Sequence, residues 1–279
     1  MRVAVAQVES VAGDLDSNLR KHLDVIAAAR ARGVEVLLFP ELSLAGHAAG
    51  RDAVRLAMGR DHRMLADIAR ASGDMCTVVG IVEEAAAGQF YNAAVALRRD
   101  APPFVHRKIN LATYGKLEDG KHFAAGSMVD TLDLDARWRS CVMICADTWN
   151  PPLVHLAACR HATLLLVAVS SALEAVGEAF DNPQGWDTNL RFHATTYGMP
   201  VMMANRVGTE GDLTFWGGSR VLDPFGRVIA KAEGTGEALV EATLDYEDVR
   251  RARYLLPTVR DANLPLLARE IARIIEGCP

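Results

Sequence analysis

The chain has 279 residues, half of them hydrophobic, which is ample for a well-buried core. Thirty basic against thirty-five acidic side chains leave a net charge of −5, arguing against nucleic acid or an anionic membrane as the partner. Five scattered cysteines in a chain of this length argue against a disulfide-stapled fold and for free thiols in a reducing, cytoplasmic setting.

Residues 2–8, RVAVAQV, alternate as a strand does and follow Met1 directly, so no signal peptide is expected. Residues 18–32 predict a helix with Leu19, Leu23 and Ile26 on one face. A strand is predicted at 34–39, the end of a second helix at 64–71, and further strands at 77–82, 92–98 and 104–107. A loop rich in glycine and charge, 114–126, precedes strands at 128–134 and 140–144. A helix at 153–159, a strand at 163–169, a polar loop at 175–185, a helix at 186–197 and a strand at 201–205 follow. The last third predicts strands at 219–222, 227–233 and 238–244. Asp223-Pro224-Phe225-Gly226 and Gly234-Thr235-Gly236 join them, which reads as a small antiparallel meander. Residues 264–276 form a final amphipathic helix. The longest apolar runs are strand-sized, so no bilayer span is expected. No linker or repeat divides the chain, and a single α/β domain over 1–279 is expected, with helices outside and strands inside.

Three of the predicted strands run into a reactive side chain: Glu41 after VLLFP, Lys108 after FVHR and Cys145 after CVMI. Singly, each has an ordinary reading: a solvated carboxylate, one member of a basic run, a cysteine filling the core. Context changes this. The segment from Ala146 to Pro152 turns the chain from strand into helix, where backbone N–H groups favour a thiolate and face a developing oxyanion. Cys141 lacks that turn and reads as structural. Glu41 follows an apolar run and a proline at the mouth of the sheet, where partial burial suits a general base. Lys108 beside both would support the thiolate and polarise a substrate oxygen. Base, oxyanion stabiliser and nucleophile together point to acyl transfer.

The segments FPELSLAG, HRKINL and ICADTWNPP resemble the signatures of the nitrilase superfamily of carbon–nitrogen hydrolases, in the order Glu, Lys, Cys and at matching separations. The resemblance runs over nearly the whole chain. It takes in Gln7, Glu118…Phe123-Ala124-Ala125-Gly126, Asn205-Arg206-Val207-Gly208, Gly218-Ser219…Asp223-Pro224-Phe225-Gly226 and Arg253…Pro257…Arg260-Asp261. It implies a four-layer α-β-β-α sandwich with Glu41 as base, Lys108 beside the oxyanion and Cys145 as nucleophile. A second glutamate, Glu118, would orient Lys108 or the substrate. The implied reaction cleaves a non-peptide C–N bond of a small linear amide or N-carbamoyl compound through a cysteine thioester, with release of ammonia and no metal or organic cofactor. The resemblance also implies a homodimer or higher homo-oligomer paired through the helices at 153–159 and 186–197.

After Cys145 the chain departs from the family pattern. Ala146 stands for an aromatic residue, Asn150 for Phe and Pro152 for Glu, and no arginine follows promptly; Asp147 and Pro151 are retained. Substrate contacts are expected from Ala146, Trp149, Trp186 and Arg191. A neutral or cationic amide is favoured, or a carboxylate held by Arg191 or Arg206. Competing readings are a nitrile substrate, a non-catalytic nitrilase-like scaffold, a papain-like pairing of Cys145 with His155 or His193, and a zinc site. The zinc site would use Cys141, Cys145, His155, Cys159 and His161, whose spacing fits no usual zinc motif. His47 and His106 read as solvated or hydrogen-bonded neighbours of the site.

Overall fold

The computed structural model describes residues 1–177 and 179–277; Glu178, inside the predicted loop 175–185, and Cys278 and Pro279 lie outside the described residues. The chain opens with β1 (Arg2–Gln7), α1 (Leu15–Ala31) and β2 (Val36–Leu38). A 3-10 turn (His47–Asp52) leads into α2 (Ala53–Leu56), then α3 (Arg63–Ser72), β3 (Cys76–Ala85), β4 (Gln89–Leu97) and β5 (Phe104–Arg107). Next come α4 (Asp119–His122), β6 (Thr131–Asp133), β7 (Arg139–Ile144), α5 (Pro151–Cys159), β8 (Leu164–Val169), α6 (Asn182–Tyr197) and β9 (Val201–Asn205). The chain closes with β10 (Val207–Glu210), β11 (Leu213–Trp216), β12 (Arg220–Leu222), β13 (Val228–Lys231), β14 (Ala238–Thr243), α7 (Tyr246–Leu255) and α8 (Leu264–Ile275).

Side chains that alternate along the strands build two six-stranded sheets, ordered β14-β1-β2-β3-β4-β5 and β13-β12-β9-β8-β7-β6. Val3, Val5, Leu38 and Val78 of the first sheet pack against Val142, Ile144, Leu166 and Met202 of the second. The intervening residues point outward. Ala4, Leu37 and Val79 meet Ile26 of α1 and Leu65 and Ile68 of α3. Met143, Leu165 and Val167 meet Val154 of α5 and Trp186 and Leu190 of α6. Both faces of each sheet are therefore covered, which is why the central strands read as continuous apolar runs. The result is the α-β-β-α sandwich that the resemblance implied.

Two parts differ from the sequence expectation. Helix α6 begins inside the predicted loop, because the Asp181 side chain accepts from Gln184 N and Pro183 occupies the first turn. The predicted meander is divided between the sheets: β12 and β13 pair antiparallel, whereas β14 crosses over and pairs antiparallel with β1. The buried amide of Gln7 holds this crossing, donating to Gly236 O at 2.7 Å and accepting from Ser219 N at 3.1 Å. The hairpin β10–β11 and helix α7 had no counterpart among the predicted elements. Val154, Ala157 and Ala158 of the expected pairing face are buried within the chain itself, while Leu156 and Phe192 are exposed. Among the described residues, no helix is long and apolar enough to cross a membrane.

Candidate active site

Four strand ends converge at one edge of the sandwich. Glu41 lies just past β2, Lys108 directly follows β5, Cys145 follows β7 and Ser170 follows β8, so each sheet contributes two. The turn bearing Glu41 passes so close over β3 that a Cβ at Gly80 would lie 2.2 Å from Leu42 N and 2.6 Å from Pro40 O. Only glycine permits that approach. Ser43 Oγ accepts from Gly80 N at 3.1 Å and lies 2.9 Å from His22 Nε2. The His22 ring stacks on Phe39 at 4.0 Å, and Nδ1 is 2.7 Å from Asn18 O.

Burial pushes the pKa of His22 from about 6.5 down to about 4. The unfolded chain therefore binds the extra proton first as pH falls, so the stability from neutral His22 is complete above pH 6.5 and lost on acidification towards pH 4. The expected loss from this group is about 3 kcal/mol, measurable by denaturant unfolding across that range. A His22→Phe variant should show a flatter acid limb; an equally steep one would assign the loss to other groups.

Lys108 Nζ donates to Glu41 Oε1 and to Asp119 Oδ2, both at 2.6 Å, with its side chain 3% exposed. Burial alone would lower its pKa, but Glu41, Asp119 and Cys145 outweigh it and hold the pKa well above that of an ordinary lysine. The ammonium is a fixed cation. Glu41 Oε1 also accepts from Asn92 Nδ2 at 2.8 Å, and Oε2 accepts from Ser170 N at 2.9 Å.

Cys145 takes φ 44° at the sharp turn from β7 into the 3-10 segment Cys145–Trp149. A β-carbon is strained there, and such strain persists only where neighbours enforce it. Thr148 Oγ1 donates to Cys145 O at 2.8 Å, and Thr148 O lies 2.8 Å from His193 Nε2. Asp147, wholly buried, ties this turn to the end of β5. Its Oδ1 accepts from Ile109 N (2.9 Å) and Asn110 N (2.8 Å). Its Oδ2 accepts from Ile144 N (3.0 Å) and lies 2.9 Å from His106 Nε2. Burial raises the Cys145 pKa well above an ordinary thiol and the Glu41 charge adds to this, while Lys108 and the Ser170 amide oppose it. At neutral pH the resting group is a thiol, and a base must take its proton as it attacks.

Glu118, expected to orient Lys108 or the substrate, is turned away from Lys108 and does not line the cavity described below. Its carboxylate meets Lys121 Nζ at 2.6 Å and Arg51 Nη2 at 3.3 Å on the surface. The neighbouring Asp119 takes the place beside Lys108, because α4 starts at residue 119 and directs that side chain inward, where Oδ2 also accepts from Ala112 N at 3.2 Å. Asp119→Asn is expected to lower kcat about a hundredfold by loosening the ammonium, whereas Glu118→Gln should stay within about threefold. Equal effects in steady-state assays would reverse this correction.

Above the cluster lies a cavity of about 200 Å³, with Glu41, Lys108, Asp119 and Cys145 at its floor. Tyr114, Trp149, Phe180 and Trp186 form much of the wall. Trp149 stands edge-on to Trp186 and Phe180 at 5.3 and 5.7 Å, and Trp186 Nε1 donates to Ser171 Oγ at 3.1 Å. Of the expected substrate contacts, Trp149 and Trp186 line the cavity. Ala146 is buried outside its lining, and Arg191 is occupied by Asp187 (2.6 Å) and Gly226 O (2.7 Å). Arg206 is buried with Glu210 (2.7 Å) and Ser10 O (2.9 Å). Lys108 is thus the sole lysine or arginine lining the cavity among the described residues; its charge is matched by two carboxylates, which leaves one of its three N–H groups for a substrate oxygen. Tyr114 and Phe180 lie on aperiodic loops and Asp119 opens the one-turn helix α4, and only the adjacency of Asp119 to Glu118 gave any sequence signal for them. His155 faces Cys159 at 3.5 Å and neither it nor His193 lines the cavity, so no histidine of the papain-like pairing reaches Cys145. Cys141 sits in the core beneath α5, and among the described residues no group of three or more His, Cys, Asp or Glu side chains is placed to hold a metal ion.

The carbon–nitrogen hydrolase family pattern matches residues 2–254, and the chain belongs to that family. It is 28% identical over 99% of its length to a glutamine-dependent NAD(+) synthetase of Thermotoga maritima, but spans only 48% of that protein. It is also 28% identical to an aliphatic nitrilase of Sinorhizobium fredii, over 91% of this chain and 89% of that one. The amidase from Nesterenkonia sp. AN1 superposes with a TM-score of 0.80 at 24% identity, covering 96% of this chain and 99% of that one. These relatives carry different activities on one fold.

Proposed function

We propose that the chain is an amidase that hydrolyses a small, uncharged linear amide, or an N-carbamoyl compound presenting the same uncharged end. One observation carries this reading: a Glu41–Lys108–Asp119 cluster beside Cys145 lies at the foot of an aromatic cavity whose lining, among the described residues, holds no unpaired lysine or arginine. A substrate such as glutamine brings a free carboxylate and ammonium. Burying both without partners would cost several kcal/mol.

In the proposed reaction Glu41 takes the thiol proton as Cys145 Sγ attacks the amide carbon, and the oxyanion develops beside Lys108. The C–N bond breaks as Glu41 passes that proton to the departing nitrogen, and ammonia leaves a thioester. Glu41 then deprotonates a water that attacks the thioester, and the proton returns to Sγ as the acid departs. Two copies pairing over the exposed Leu156 and Phe192 are part of the same proposal, checked by sedimentation of wild type and Leu156→Asp.

The test is ammonia release from aliphatic and aromatic amides, glutamine, carbamoyl amines, carbamoyl acids and nitriles. Uncharged amides should be turned over at least about tenfold better than glutamine. Turnover of nitriles alone would replace this reading with a nitrilase, and preference for glutamine would overturn the argument from the lining. No ammonia from any compound would favour the scaffold.

A further inference from the structure

His47 is held on several sides and plays no part in the proton transfers above. Gly46, at φ 93°, turns the chain into the cavity, and a Cβ there would lie 2.8 Å from Ala12 Cα. The Glu210 carboxylate accepts from His47 N at 3.0 Å and Ala48 N at 2.6 Å, and is itself anchored by buried Arg206. Phe215 packs against the His47 ring at 5.1 Å. Nδ1 lies 3.0 Å from Ser170 Oγ, on the residue whose backbone N–H binds Glu41. That leaves Nε2 as the ring nitrogen with no protein partner among the described residues, on a side chain that lines the cavity. Burial lowers the imidazole pKa; Glu41, Glu210 and Asp119 oppose this while Arg206 adds to it, so the ring is uncharged near neutral pH.

We propose that His47 is a specificity-determining residue, whose Nε2 hydrogen-bonds an uncharged polar group, a hydroxyl or a second carboxamide, on the acyl part of the substrate. The proposal rests on the amidase reading. Much of the remaining lining is aromatic (Tyr114, Trp149, Phe180 and Trp186), so a polar edge at His47 selects among amides of similar size. A buried hydrogen-bonding group rejects an analogue that lacks its partner more strongly than an apolar wall rejects an added hydroxyl.

The experiment compares kcat/KM for propionamide, lactamide and malonamide as ratios within each variant, so that any loss common to all three cancels. Wild type should favour the better polar amide over propionamide by about tenfold. His47→Asn, which places its amide at the Nδ1 position, and His47→Phe should bring the ratio to about one. His47→Gln, which can restore a polar group near Nε2, should recover most of it. A wild-type ratio near one, or an unchanged ratio in both His47→Asn and His47→Phe, would overturn the proposal. Should none of the amides be hydrolysed, the amidase reading fails by itself. Protection of Cys145 against iodoacetamide by the same three compounds then decides: stronger protection by a polar amide in wild type but not in His47→Asn supports the contact, and equal protection refutes it.

Discussion

Cys145→Ala is expected to reduce ammonia release by at least about 10,000-fold, to the level of uncatalysed hydrolysis. No other described cysteine lines the cavity, so no second thiol can form the thioester. Alanine keeps the Cβ, and with it the strained φ of 44°, and the network of Asp147 and Thr148 that enforces this turn is untouched. The variant should therefore fold, which thermal unfolding will check. Iodoacetamide labelling read by peptide mapping supplies the second measurement: the Cys145 peptide should lose its label while the partly exposed Cys159 keeps it. Turnover within tenfold of wild type in a folded variant would sink the thioester mechanism.

Glu41→Gln should cost about a thousandfold in kcat, within the range for a positioned general base. Both carboxylate oxygens face donors: Lys108 and Asn92 at Oε1, Ser170 N at Oε2. Whichever way the glutamine amide is turned, its NH2 meets a donor: two hydrogen bonds are lost if it takes the Oε1 position and one if it takes Oε2. The base is removed as well. Alkylation of Cys145 by iodoacetamide still requires loss of the thiol proton, but the iodide it expels takes none up, so it should fall less than amide hydrolysis, in which Glu41 also serves the leaving nitrogen and the water. Losing the Glu41 charge also removes one of the influences that raise the thiol pKa. Parallel losses in hydrolysis and alkylation would mean that Glu41 does not carry the proton to the departing nitrogen, and that its effect stops at activating the thiol or ordering the site.

The readable parts of the chain were those in which local pattern and burial coincide. Short apolar runs placed β1, β5, β7 and β9 within a residue of their observed ends, because both faces of those strands contact apolar layers. The three reactive residues were legible for a similar reason: each directly terminates such a run. Glu118 was misplaced because type matching cannot tell which of two adjacent carboxylates turns inward. The start of α4 decides that, and it depends on how the loop closes over Lys108. The meander was misread because glycine-rich links look alike whether a strand returns to its neighbour or passes to the opposite sheet. The distant amide of Gln7 makes that choice.

The sequence by itself determined the layered α/β architecture, the family, and the chemical types at three strand ends, since periodicity and short motifs are local properties. Only the tertiary structure decided that Asp119 holds Lys108, that Arg191 and Arg206 are occupied elsewhere, and that Phe180 and His47 reach the cavity. Those outcomes depend on the burial and pairing of side chains far apart in the chain. Whether a charge is free to bind a substrate is settled by its partners, and partners are a property of the folded molecule.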